Sequence, residues 1–258
     1  MVHLKKENCT AGIDKGELVS FIAEEHEFIH QKGSPGWRSA DTEMFPIIGP
    51  LNEIDFRVQV PRGNGAIQDQ HGLLRELEYE LISQTETSAV FRKEYEMGTR
   101  VRNSKFPKKS NKEWLFWPYT FAFEKSFELK KDNLEITFTI SGERDMPFML
   151  GYHPAFKLHI ANPVILADSK EITLDEVLAV GSRALQVENC KSITLKDKKD
   201  ITIKTEGFKH FMCWTEVRNM VCIEPITFYP YAVAQRELHT GFDYIKHGDS
   251  IFSVKLFV

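Results

Sequence analysis

Apolar and polar positions alternate along most of this chain, and the alternation predicts strands. Residues 121–129 and 134–140 are two alternating runs around the turn signal Lys131-Asp132-Asn133, with Thr137, Thr139 and Ser141 facing away from Ile136, Phe138 and Ile140. Ile54, Phe56, Val58 and Val60 share one face of another alternating run, 54–60. Further short strands are predicted at 17–22, 27–30, 76–83, 89–96, 171–174, 192–195, 201–204, 208–214, 220–224 and 251–258. No long stretch carries a 3.6-residue period; a helical turn fits only around Leu178 or after Ser110.

Breakers divide these runs. Gly33-Ser34-Pro35-Gly36 interrupts the chain before Trp37, and Gly63-Asn64-Gly65 is a hairpin-type turn. Met44-Phe45-Pro46-Ile47-Ile48-Gly49-Pro50-Leu51 is apolar, but its two prolines and its glycine argue against a regular helix. No composition shift or Ser/Gly-rich linker marks a boundary, so a single all-β domain over residues 1–258 is expected, a large antiparallel β-sandwich.

Composition narrows the function. Hydrophobic residues at 42% supply a sizeable core, and the 27% charged residues are evenly mixed. A net charge of −4 gives no reason to expect a nucleic acid or an anionic membrane as partner. With 19 Phe, 4 Trp and 7 Tyr, there are aromatics to spare for a cleft. Cys9, Cys190, Cys213 and Cys222 have no CxxC spacing, so a zinc site built on them is not expected. The first residues lack an apolar segment, so the expectation is a cytoplasmic protein with free, buried thiols.

Several common chemistries are missing: there is no GxSxG, GxxxxGK[ST], strand-linked GxGxxG or HExxH. Arg100, Arg102, Lys105, Lys108 and Lys109 form the most compact basic cluster, which reads as a solvated loop before it reads as a phosphate contact. Three polar residues stand in apolar or glycine-bounded settings. His71 lies in Gln70-His71-Gly72-Leu73-Leu74-Arg75, and His153 in Gly151-Tyr152-His153-Pro154-Ala155-Phe156. Glu224 ends the almost wholly apolar Met220-Val221-Cys222-Ile223-Glu224-Pro225. Burial of that carboxyl would raise its pKa toward the range of a general base. Each alone is more often structural than catalytic.

The ordered motifs resemble the aldose 1-epimerase (mutarotase) family, in its shorter bacterial-type branch. Met44-Phe45-Pro46-Ile47-Ile48-Gly49 resembles "LFP-[IV]-[IV]-G", and Gln70 to Arg75 is similar to "HGFxR". Met146-Pro147-Phe148 through Phe156 is similar to "MPF…GxHPxF", and Cys222-Ile223-Glu224-Pro225 to "xxEPW". The resemblance implies a galactose-mutarotase-like β-sandwich with an open sugar cleft and an enzyme that exchanges α and β anomers without metal or cofactor. Glu224 would be the general base at the anomeric hydroxyl, His153 the general acid at the ring oxygen, and His71 a sugar contact that polarises that oxygen. Arg75 and Trp37 carry over as further sugar contacts. A small-molecule aldose is the expected partner, with the protein a monomer or homodimer.

The departures lie in the substrate-recognition shell. Pro50 stands where many relatives have an arginine, Gly142 where asparagine is frequent, and Ile226 where tryptophan often follows the Glu-Pro pair. Alternatives to a free-aldose epimerase are a sugar-phosphate epimerase using the basic cluster, a non-catalytic carbohydrate-binding protein, and a metalloenzyme using His71, His153 and Glu224.

Overall fold

The computed structural model describes residues 1–62 and 65–258; of the expected Gly63-Asn64-Gly65 turn, Gly63 and Asn64 lie outside the described residues. The chain is an antiparallel β-sandwich. One sheet has nine strands in the order Lys170–Thr173, Val164–Ala167, Ser192–Lys196, Ile201–Glu206, Ser250–Phe257, Asn133–Gly142, Phe121–Leu129, Ser88–Tyr95 and Glu80–Gln84. A second has six: Leu185–Val187, His210–Trp214, Met220–Ile226, Gly151–Tyr152 and Glu43–Met44, with Ala155–Lys157 also paired to Met220–Ile226. A four-stranded sheet opens the chain, Val2–Lys6, Cys9–Asp14, Glu17–Ala23 and His26–Glu27.

The period-two pattern does what it predicts in the long strands. Phe121–Leu129 and Asn133–Gly142 pair directly, and their apolar positions are buried while the intervening ones are half-exposed. Phe45, Phe121, Phe123, Phe138, Phe148, Phe208 and Phe252 form a chain of tilted and edge-on rings through the core. The all-polar stretches become the turns.

Lys125 interrupts the apolar face of its strand between Phe123 and Phe127, and its ammonium is fully buried. It is held by Asp41 Oδ2 at 2.8 Å and Glu43 Oε1 at 2.6 Å. Tyr152 Oη donates to the same Asp41 oxygen at 2.6 Å. A buried ammonium persists only with such partners.

Three local expectations change. The alternating run 54–60 is buried at Phe56, Val58 and Val60, but only Arg57–Val58 is a strand. Asn52–Ile54 is a 3₁₀ turn, and Asp55 and Phe56 take left-handed backbone angles, so alternation there reflects side-chain burial in a loop. The hairpin Val2–Lys6/Cys9–Asp14 had no counterpart in the sequence reading, its charged residues masking a short apolar face. Of the two helical candidates, residues 174–180 around Leu178 form the α-helix and the stretch after Ser110 does not. The helix begins at a capping box: Thr173 Oγ1 accepts from Glu176 N, and the Glu176 carboxylate accepts from Thr173 N. It passes into the 3₁₀ turn Gly181–Arg183.

All four cysteines are buried free thiols. Among the described residues no helix is long and apolar enough to cross a membrane.

Candidate active site

Strand Met220–Ile226 is buried on both faces, and its alternation decides what each face carries. Val221 and Ile223 pack into the sandwich core, while Met220 and Cys222 belong to a separate small cluster with Ala155, Trp37 and Trp214. Glu224 shares parity with Met220 and Cys222, so it points to that second face. There it lines a cavity of about 280 Å³ with His71, His153 and Trp37.

His153 reaches Glu224 through register. Gly151 pairs with Ile226 and Ala155 with Cys222, which sets His153 opposite Glu224 across the break between the two short strands. In the break, His153 N–H donates to Thr42 O at 2.8 Å and Ala155 N–H to Ala40 O at 2.8 Å. His153 Nε2 lies 3.4 Å from Glu224 Oε1, and its buried Nδ1 has no hydrogen-bond partner among the described residues. Trp37 stacks on the imidazole, ring centroids 4.3 Å apart.

His71 arrives from a distorted loop. Its φ is +77° and that of Gly72 is +72°; a Cβ on Gly72 would meet Phe45 O at 2.1 Å, so only glycine fits there. His71 N–H donates to Ile48 O and Nδ1 lies 3.2 Å from the same oxygen, which orients the ring. The His71 and His153 rings meet edge-on at 5.6 Å.

The electrostatics follow from the burial of the site's side chains. Burial pulls the His153 pKa down to about 3, with Arg75 adding to the effect. His71 is held well below its usual range by burial, then by Arg75 and His153. Burial alone pushes Glu224 well above the carboxylate range. Burial thus favours a protonated Glu224 and a neutral His153 over the ion pair.

That pair makes stability pH-dependent. Unfolded, Glu224 loses its proton near the ordinary value of 4.5; folded, it keeps the proton far higher. The stability present below that ordinary value is therefore lost as pH climbs toward the raised one. Thermal melts from about pH 5 to pH 8 should show wild type losing more stability than Glu224→Gln. Parallel Tm curves for the two proteins would contradict a buried protonated carboxyl.

Of the five site residues expected from sequence, four line this cavity. Arg75 does not: it lies behind His71, lining neighbouring depressions with Pro50, Lys105 and Lys109 on one side and Asp41, Glu43 and Lys93 on the other. Its charge acts on both imidazoles from there. The basic cluster also stays outside. Lys105 is tied to Asp69 Oδ1 at 2.8 Å and Gln70 O at 2.9 Å, and Arg102 pairs with Glu113.

Other lining residues escaped the sequence reading: Gln70, Ser182, Arg183, Met212, Trp214, Glu216 and Tyr231. Arg183 comes from the 3₁₀ turn after the helix, its guanidinium 5.3 Å from the Tyr231 ring centroid. Met212 pairs with Glu224 and Trp214 with Cys222, so strand parity could have found both. Nothing local marks Arg183. The proposed metal set is also revised. The compact group is His153, Cys222 and Glu224, with one ligand atom from each within 4.8 Å of the others, and His71 is not part of it.

A family model described as aldose 1-epimerase matches residues 51–225. The chain belongs to the aldose 1-epimerase family. Its fold matches a galactose mutarotase-like protein from Lactobacillus casei with TM-score 0.79 at 18% identity, covering 100% of this chain and 99% of that one. A galactose mutarotase related enzyme from Lactobacillus acidophilus gives 0.75 at 20% identity, covering 100% and 97%. A GalM/aldose epimerase homologue from C. elegans gives 0.70 at 9% identity, covering 99% and 97%. No curated protein sequence matches the chain. At these identities the structural neighbours establish the fold of this aldose 1-epimerase family member, a galactose mutarotase-like β-sandwich.

Proposed function

We propose that the protein is an aldose 1-epimerase, a single-domain isomerase that interconverts the α and β anomers of a free aldose. The observation that carries the reading is Glu224 Oε1 facing His153 Nε2 at 3.4 Å in a cavity walled by Trp37. Opening a hemiacetal needs one proton taken from the anomeric hydroxyl and one delivered to the ring oxygen, with no net redox change. The Glu224–His153 pair has that capacity without changing its total charge.

In this reading a bound pyranose stacks its apolar face on an aromatic wall, and its hydroxyls hydrogen-bond the polar side chains of the site. The proton shifts from Glu224 to His153, giving carboxylate and imidazolium with the same proton count. Glu224 then accepts the anomeric proton as general base while His153 protonates the ring oxygen as general acid. Rotation about the first carbon–carbon bond and closure by the reverse transfers yield the other anomer. His71, kept neutral with its Nδ1 proton on Ile48 O, offers its Nε2 lone pair to a sugar hydroxyl. Arg75 acts through space on both histidines and is withdrawn from direct sugar contact.

In this reading Arg183, which lines the cavity with Glu216, takes over from the guanidinium missing at Pro50. A donor and an acceptor together suit vicinal sugar hydroxyls. Arg183→Ala should raise KM about tenfold with kcat little changed, the signature of lost uniform binding. Polarimetry or anomeric NMR exchange on a panel of free and phosphorylated aldoses tests the activity itself. Acceleration of free-aldose anomerisation supports it. Binding without acceleration of any sugar would leave a carbohydrate-binding protein instead, and a preference for phosphorylated sugars would return the basic cluster to the site.

A further inference from the structure

A second cluster of ligand-type side chains lies outside the sugar cavity, where the three large sheets meet. His26 sits in the last strand of the four-stranded sheet, and His159 follows strand Ala155–Lys157 of the cavity sheet. Asp197 begins the turn between Ser192–Lys196 and Ile201–Glu206 of the nine-stranded sheet. One ligand atom from each lies within 4.8 Å of the other two, and the imidazole centroids are 4.2 Å apart.

The surroundings are arranged as supporting contacts around a metal ion usually are. His159 Nε2 lies 2.9 Å from Glu27 O; a carbonyl only accepts, so Nε2 carries the proton and Nδ1 the lone pair. The Asp197 carboxylate is fixed by two backbone donors, His159 N–H to Oδ2 at 2.8 Å and Ile160 N–H to Oδ1 at 2.9 Å. The His26 ring is buried against Phe28 and makes no hydrogen bond among the described residues. Two histidine nitrogens and a carboxylate oxygen are a donor set for zinc and its first-row neighbours.

We propose that His26, His159 and Asp197 form a binding site for a divalent transition-metal ion, zinc in the first instance, that ties the three sheets together. Water completes the coordination. Two lysines bear on the site, Lys198 and Lys199. Lys199 is engaged by the Glu24 carboxylate at 2.7 Å, which offsets its charge. The role is structural, since the site is not among the residues lining the sugar cavity, yet His159 lies on the segment that continues from His153.

The test is zinc binding by full-length protein stripped with chelator, followed by equilibrium dialysis with elemental analysis and by calorimetry. Wild type should take up one zinc per chain and melt about 5 °C higher at a hundredfold excess over Kd. His159→Ala and Asp197→Asn should each weaken that binding at least about 100-fold with circular dichroism unchanged. Glu224→Gln and Cys222→Ser should leave it intact. The Co²⁺ form should show the visible bands of low-coordinate nitrogen and oxygen ligation, lost in the same two variants. Absence of stoichiometric zinc at micromolar concentrations would overturn the site. So would zinc that survives both His159→Ala and Asp197→Asn but is lost in Cys222→Ser, which would move it to the His153–Cys222–Glu224 group.

Discussion

Glu224→Gln should lower kcat for anomerisation by about 10²–10⁴-fold while sugar affinity changes only a few-fold. The amide has nearly the shape of a protonated carboxyl, so folding and binding are preserved. What it cannot do is take up the anomeric proton. His153→Ala should fall by a similar factor, and the double variant should be little worse than either single one, because the two groups work as one proton-carrying unit. Rate constants from anomeric NMR exchange at saturating sugar decide the matter. Wild-type kcat in Glu224→Gln would remove this carboxyl from the mechanism. The pH profile follows from the same pair. Activity needs one proton on it, so the acid limb should fall well below the ordinary histidine range and the alkaline limb above the ordinary carboxylate range.

The largest stability effect should come from Lys125→Met, a loss of about 3–5 kcal/mol. Asp41 and Glu43 would then face each other in the core without the ammonium that lies 2.8 Å and 2.6 Å from them. Lys93, itself buried and pulled down to about 8 by its surroundings, cannot make up the deficit; its ammonium is bound to Leu74 O at 2.9 Å. The consequence reaches the site, because Thr42 lies between the two carboxylates and its carbonyl accepts the His153 N–H. Urea denaturation of wild type and variant measures the loss. The triple change Asp41→Asn, Glu43→Gln, Lys125→Met should recover much of it, since the uncompensated charges are gone. A single-variant cost below about 1 kcal/mol would mean that water reaches the network and screens it.

Lys125 also illustrates a signal that sequence carries without solving. In Phe121–Leu129 it occupies the apolar face, and a lysine there implies burial and an acidic partner. Which acids answer it was not readable, because Asp41 and Glu43 are more than eighty residues away and lie in a segment with almost no regular structure. The run 54–60 shows the converse. Its alternation was real as burial and misleading as geometry, because two left-handed residues turn the backbone where a strand would continue straight.

The chain by itself determined the fold class and the chemistry of the candidate pair. Period-two patterning leaves the long strands no other stable arrangement than antiparallel sheets packed face to face, and the motif order around His71, His153 and Glu224 marks the family. What only the tertiary structure decided is convergence. His153 and Glu224 meet because antiparallel register sets them opposite each other, a long-range property that side-chain pattern cannot encode. Arg75 falls behind His71 instead of into the cavity, and Arg183 enters it, because a capped helix ends where its next turn overhangs the pocket. Glu224 sits on a strand and His153 in the break between two strands in register with it, so both can be read from strand patterns; Arg183 sits on a loop, whose path is set by packing.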